Sequence, residues 1–128
     1  MPGTLFRNLV PALCLWLAGA GSALAQGDCS LPDRPAIPDG ATAPEAEMVK
    51  AQKAVRGFVA KSETFLACIE LRQAKAQVAA LHSNLPFTPD EQAAWNGRFN
   101  DGVTLQTEMA EKYNVQVRIF KARGAKGG

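Results

Sequence analysis

The sequence has few of the side chains that catalytic and metal sites most often use. Among its 128 residues, His82 is the single histidine, and there are only three cysteines. Zinc sites usually combine several His and Cys ligands, and His is the side chain that most often acts as a general acid or base. His82 stands near a predicted helix end, where a positive charge is favourable. We expect it to be a helix-end residue, and we expect no catalytic residue, metal or cofactor.

Charge is scarce at the start of the chain. Arg7 is the only charged residue in the first 27 positions, and an apolar run follows it over residues 9–18. That run is too short for the ~20 residues that a membrane-spanning helix needs. Ala23-Leu24-Ala25 then supplies the small residues that a signal peptidase recognises. The pattern predicts a signal peptide over residues 1–25, and the alternative is an uncleaved anchor.

Net charge is low as well. Without Arg7, 13 basic residues stand against 12 acidic ones. A nearly neutral exported protein has no general electrostatic reason to bind nucleic acid. The last part of the chain differs, since from residue 112 onward it carries no acidic residue. Its basic residues suit a solvated helix end, or alternatively a weak contact with anionic lipid or another polyanion; they are Lys112, Arg118, Lys121, Arg123 and Lys126.

The cysteines favour an oxidising compartment. Cys14 is removed with the signal peptide, which leaves Cys29 and Cys68 as a pair. In exported proteins such a pair most often forms a structural disulfide. A redox-active pair is typically closer in sequence, as in Cys-x-x-Cys. We therefore predict a structural disulfide in a periplasmic or secreted protein.

Two capping signals predict two helices. Thr42-x-x-Glu45 and Thr88-x-x-Glu91 both match the capping box, in which the Thr and Glu side chains satisfy free backbone N–H groups. Asn84 and Pro86 predict where the first helix ends. The predicted divisions are a proline-rich arm over 26–41, a helical hairpin over 42–123 with helices 42–83 and 88–122 around a loop at 84–87, and a disordered basic tail over 124–128.

Apolar spacings of three and four residues support both helices. On the first, the predicted seam is Met48, Val55, Val59, Leu66 and Ile69, widened by Phe58 and Phe65. On the second it is Trp95, Phe99, Gln106, Met109, Tyr113 and Phe120. A short loop makes the helices antiparallel, and folding about its centre places Phe65 near Gln106 and Phe58 near Tyr113. Gln52 and Gln106 are predicted to fix this register.

The arm has a period of three. Cys29, Pro32, Pro35 and Pro38 recur at every third position, which places them on one edge of a polyproline II helix. From Cys29 to residue 42 such an arm spans about 40 Å, and from residue 42 to Cys68 a helix spans about 39 Å. The lengths predict that an arm lying along the first helix brings the two cysteines together. We expect an all-α fold: an antiparallel two-helix hairpin with a polyproline-like arm packed along helix 1 and pinned by the disulfide.

The segment from Asn96 to Gly102 is unusual for a helix interior, because Asn, Asp and Gly all disfavour that position. One interpretation is a weakened or kinked stretch held by Trp95 and Phe99. A second is that Gly102 and Val103 make room for the disulfide. A third is a polar recognition surface built from Asn96, Arg98, Asn100 and Asp101.

The residues of the arm and first helix resemble a known group. Cys-x-x-Pro, Pro-x-Ile-Pro-Asp-Gly at residues 35–40, Glu47-Met48, the run at residues 51–55 and a cysteine in mid-helix are similar to small secreted proteobacterial proteins of unknown function. The resemblance covers residues 29–68 and implies a bacterial periplasmic setting. It brings no activity and no functional residues.

The function that we predict from these features is a non-enzymatic periplasmic interaction or structural module. Its partner would be an unidentified envelope protein or a second copy of the chain. The alternative is binding to the envelope surface through the basic C-terminal end.

Overall fold

A computed structural model describes residues 29–126 of the chain. Within this range there are two helices, α1 (Glu45–His82) and α2 (Pro89–Lys126), and they pack against each other. The predicted all-α class, the two packed helices and the disulfide are confirmed. Neither described helix combines the length and apolarity needed to cross a membrane. The signal peptide predicted over residues 1–25 lies outside the described residues.

The start of α2 is the predicted capping box. The Glu91 N–H donates to the Thr88 hydroxyl at 3.2 Å, and the Thr88 N–H donates to the Glu91 carboxylate at 2.8 Å. Pro89 occupies the first helical position, where its missing N–H costs nothing. The bond from the Thr88 backbone, helped by the Thr88 hydroxyl, holds the pKa of Glu91 below its ordinary value. Glu91 is therefore a capping residue.

The capping box predicted at Thr42 is wrong. Helix α1 begins at Glu45, its N-cap is Pro44, and no side chain caps it. Asp39 competes for the groups that the box would use: its backbone oxygen accepts from the N–H groups of Thr42 and Ala43, and its carboxylate accepts from the Thr42 hydroxyl at 3.3 Å. A turn that begins at Asp39 thus replaces the first turn of the predicted helix.

The end of α1 is a Schellman motif at the predicted place. Asn84 has a left-handed φ of 52°, which Asn tolerates better than most residues. Its N–H donates to the oxygen of Leu81, and the Leu85 N–H donates to the oxygen of Ala80. These two bonds satisfy carbonyl groups that the end of a helix leaves free.

The buried face of α1 follows a strict alternation of three and four residues. Phe58 and Phe65 lie at its centre, and the predicted seam residues Val59 and Leu66 lie beside it and are half-buried. Ser62 is fully buried between the two phenylalanines, and its hydroxyl has no hydrogen-bond partner. The buried set is Met48, Ala51, Val55, Phe58, Ser62, Phe65 and Ile69.

Helix α2 buries Gly102, Leu105 and Met109. Leu105 takes the place in the core that was predicted for Gln106, which is half-buried at the edge. A Cβ on Gly102 would lie 2.8 Å from the ring of Phe65 and from the end of Leu66. Gly102 is therefore a point of close helix approach, and the space that it leaves is used by Phe65 rather than by the disulfide.

The register differs from the prediction by about one helical turn. Phe65 lies against Gly102, whereas the predicted partner was Gln106. Phe58 likewise packs with Leu105 and Met109 rather than near Tyr113. The prediction assumed that the hairpin folds about the middle of its loop. In the observed pairs, the point about which the chain reverses lies closer to the end of α1 than to the start of α2. The last turn of α1 therefore extends past the first residues of α2.

Cys29 and Cys68 form the predicted disulfide, with their Cα atoms 5.7 Å apart. Cys29 is buried in a cluster with Phe65 and Ile69, against which Trp95 and Phe99 pack. Farther along residues 29–44, Ile37 packs on the cluster of Phe58, Leu105 and Met109. Both large aromatic side chains on the inner face of α1 are thus covered by residues that precede the helix.

The far end of α2 is longer than predicted. Residues 124–126 continue the helix, so the predicted disordered tail is wrong for these residues, while residues 127–128 lie outside the described range. Arg123 donates to the backbone oxygens of Ala41 and Ala43 at 3.0 and 2.9 Å, and it lies over the ring of Phe120. These contacts tie the last turns of α2 to the start of α1.

Candidate functional site: the outer face of α1

One side of the hairpin is occupied by the chain's own N-terminal residues. Gly40 donates its N–H to the Gln116 side chain at 2.8 Å, and Arg98 donates to the oxygen of Cys29 at 3.2 Å. Together with the disulfide, these bonds attach residues 29–44 to both helices. This side of the hairpin therefore offers little surface to a partner.

The hairpin also carries an open, shallow cavity of about 540 Å³ between α1 and α2. Its lining combines apolar and polar side chains and includes the predicted register residue Gln106, while the other one, Gln52, is exposed. The hydrogen bond that joins two helical glutamine side chains is instead Gln77 to Gln92, at 3.1 Å. Gln106 and Gln52 thus both border the seam between the helices rather than its buried centre. The residues that line the cavity are Val59, Gln106, Thr107, Ala110, Glu111, Asn114 and Arg118.

The most exposed apolar surface lies on α1, opposite its buried face. Leu71, Val78 and Leu81 are 57%, 51% and 77% exposed, and Leu85, just beyond the helix, is 66% exposed. With Ala74 they follow spacings of three and four residues, the spacing of a heptad. We call these five residues the outer stripe. Its four helical members form a second apolar face of the same helix, and Leu85 lies beyond them at the tip of the hairpin.

Polar residues border the outer stripe on both sides. Glu70 and Lys75 are exposed, and each lies next to a stripe residue in the sequence. His82 is exposed at the end of α1, as predicted, and it borders a shallow apolar depression with Ala74, Lys75, Val78 and Ala79. The outer stripe thus has an apolar centre and a charged rim, which is the composition of a protein interface.

The basic C-terminal residues do not form one face. At about 100° per residue, Lys112, Arg123 and Lys126 fall within about 60° of each other, and Lys121 points to the opposite side of α2. Arg123 is already bound to the carbonyl groups of Ala41 and Ala43. Arg118 borders the open cavity instead.

The segment over residues 96–102 is helical throughout. Asn96 accepts a bond from Gln92, and Arg98 lies 5.5 Å from the centre of the Trp95 ring while it bonds to Cys29. Two residues of the predicted polar surface are therefore engaged within the fold. Asn100 and Asp101 are exposed.

Within residues 29–126 no group of three or more His, Cys, Asp or Glu side chains could hold a metal ion. Compared with protein-family models, curated proteins and solved structures, the chain matches none of them. The surface of the molecule is therefore the feature that points to a function. The sequence analysis did not predict the outer stripe. Its residues nevertheless form a second apolar heptad in the sequence of α1, on the side opposite the buried one.

Proposed function

We propose that this chain is a non-enzymatic interaction or structural module of the periplasm, or a secreted one. The observation that carries the proposal is the outer stripe. Soluble proteins rarely leave a contiguous row of large apolar side chains in water unless the surface meets a partner. Here the row stands on a helix whose opposite face is buried, so the exposed residues are not needed for the hairpin itself.

The disulfide and the predicted signal peptide both support the proposed periplasmic or secreted setting. Structural disulfides persist in oxidising compartments, and the cysteine pair is preceded by the predicted signal peptide. The resemblance to small secreted proteobacterial proteins points to the same setting. We further propose that residues 29–41 form a polyproline-like arm along α1. The buried Cys29 and the packing of Ile37 on Phe58 support it.

Site-specific photocrosslinking in the cell envelope tests the proposed function. A photoreactive side chain placed at Ala74, inside the outer stripe, is expected to form a defined crosslinked product. The matched control places it at Val49, which is 48% exposed on the same helix but outside the stripe. The product should be absent from Val49 and should disappear when Leu81→Glu is added. Equal labelling from both positions, or no product from Ala74, would contradict the proposal.

A vesicle-binding experiment tests the alternative function, which is binding of the basic C-terminal residues to the envelope surface. Vesicles containing anionic lipid are mixed with the native protein and with the Lys121→Gln/Lys126→Gln variant. Both lysines are exposed, so the substitutions leave the bonds of Arg123 intact. Vesicle binding that depends on these lysines, together with no crosslink from Ala74, would favour that alternative.

A further inference from the structure

The second heptad of the outer stripe, Val78 with Leu81, carries the pattern of a two-stranded parallel coiled coil. Leu71 and Val78 take the first position of successive heptads, and Ala74 and Leu81 take the fourth. A β-branched residue at the first position with leucine at the fourth favours two parallel strands. In that arrangement each stripe residue meets its own copy across a twofold axis. Val78 and Leu81 therefore form the best-matched apolar layers of the stripe.

The charges beside the stripe fit the same arrangement. Glu70 precedes a first-position residue, and Lys75 follows a fourth-position residue. In a parallel pair of helices, the side chain just before a first-position residue, here Glu70, faces the side chain five residues later in the other helix, here Lys75. Glu70 of one copy thus lies opposite Lys75 of the second copy, twice per dimer. The rim of the stripe is complementary to itself.

We propose that the occupant of the outer stripe is a second copy of this chain, bound in parallel through the tip half of α1. The inference rests on the proposed function and names its partner. Toward the start of α1 the same face carries Lys50 and Lys53, and like charges at these positions oppose close packing. The large apolar side chains of this face begin at Leu71, so the contact covers residues 70–85, of which residues 70–82 are helical and span about 18 Å.

A contact of this length belongs to the small class of interfaces, so the dimer is weak and its dissociation constant is about micromolar or higher. Sedimentation velocity of the full chain, exported and oxidised, tests it between about 1 μM and 1 mM. The sedimentation coefficient should rise with concentration from the monomer toward the dimer. Leu81→Glu should raise the dissociation constant at least about tenfold, because it places a charge in an apolar layer.

Matched variants separate the interface from folding. Leu81 is 77% exposed, so Leu81→Glu should lower the melting temperature by no more than a few degrees, the cost of an acidic side chain in the last turn of a helix. Val49→Glu, at an exposed site outside the stripe, should leave the dimer unchanged. Glu70→Lys and Lys75→Glu should each raise the dissociation constant about threefold to tenfold, since the pair occurs twice. The double variant Glu70→Lys/Lys75→Glu should restore it.

Three results would overturn the proposal. They are a monomer at every concentration, a dimer that Leu81→Glu does not weaken, and single charge reversals without effect. A monomer that still gives a stripe-dependent crosslink in the envelope would reject the second copy and leave the proposed function standing. A monomer with no such crosslink would remove both.

Discussion

Gly40 lies against the backbone of Gln116, with no room for a side chain between them. A Cβ on Gly40 would overlap the Gln116 carbonyl oxygen and lie 2.9 Å from its carbonyl carbon. The obstacle is backbone within a helix, which cannot rotate away. This approach lets the turn before α1 touch α2, where the Gly40 N–H reaches the Gln116 side chain. Glycine is needed here for space, since no described glycine has a positive φ.

Gly40→Ala is therefore expected to lower the free energy of unfolding by about 2 kcal/mol or more, the cost of overpacking a rigid site. Gly57→Ala is the matched control, because nothing lies within 4 Å of the added Cβ. That substitution in a helix interior should stabilise by up to about 1 kcal/mol. Urea unfolding of both variants measures the difference. Equal stabilities would show that the turn does not touch α2.

Gly102→Ala and Gly97→Ala are a second matched pair on one helix. A Cβ at Gly97 meets nothing, so alanine there should stabilise by about 0.5–1 kcal/mol. At Gly102 the same Cβ meets the ring of Phe65, which is buried and has little freedom to move. Overpacking should outweigh the gain in helix propensity and destabilise by about 1 kcal/mol. If thermal melting ranks the two variants in the opposite order, the close approach at Gly102 is wrong.

Ser62→Ala is expected to stabilise the protein. The hydroxyl is fully buried without a partner, and an unsatisfied buried polar group costs about 1–3 kcal/mol. Alanine also favours the helix. A rise of about 1 kcal/mol in the free energy of unfolding should follow, with Ser30→Ala, at an exposed position, as the neutral control. A loss of stability on Ser62→Ala would mean that the hydroxyl has a bonded partner in solution.

Acid should weaken the cap of α2. The pKa of Glu91 is lowered in the folded protein by its bonds to Thr88, so folding favours the ionised form. The stabilisation is present above the ordinary Glu pKa of about 4.3 and is lost as the pH falls through the lowered value. The native protein should exceed Glu91→Gln in stability at pH 6, and the difference should shrink below about pH 4. A pH-independent difference in the urea midpoints would contradict this assignment.

The sequence predicted long-range features of this fold better than some local ones. The Cys29–Cys68 bond was predicted from the equal lengths of the arm and of the helix up to Cys68. Because α1 begins at Glu45 and not at Thr42, the helical length falls to about 35 Å, which still matches the arm of about 40 Å to within about one helical turn. The start at Thr42 failed because Asp39 offers the same backbone groups a competing turn. Thr88 has no such competitor, and its capping box formed as predicted.

The packing between the helices determines which face of each helix is buried, and the sequence alone did not predict this. Leu105 and Gln106 are adjacent and about 100° apart around α2, so the rotation of α2 about its axis determines which of them faces α1. Similarly, α1 carries two apolar heptads on opposite sides, one through Ile69 and one through Leu71. Periodicity alone does not say which one meets α2. The exposed one became the candidate site, and it could be recognised only after the buried one was known.

A disulfide fastens residues 29–44 over the core of this two-helix protein. Thermal unfolding with and without reductant tests it most directly. A closed loop with a sequence separation of 39 residues is worth about 4 kcal/mol in the chain-entropy model. Reduction should therefore lower the melting temperature by about 15 °C or more, whereas the Cys29→Ser/Cys68→Ser variant should melt low under both conditions. A native protein whose melting temperature does not change on reduction would contradict the account.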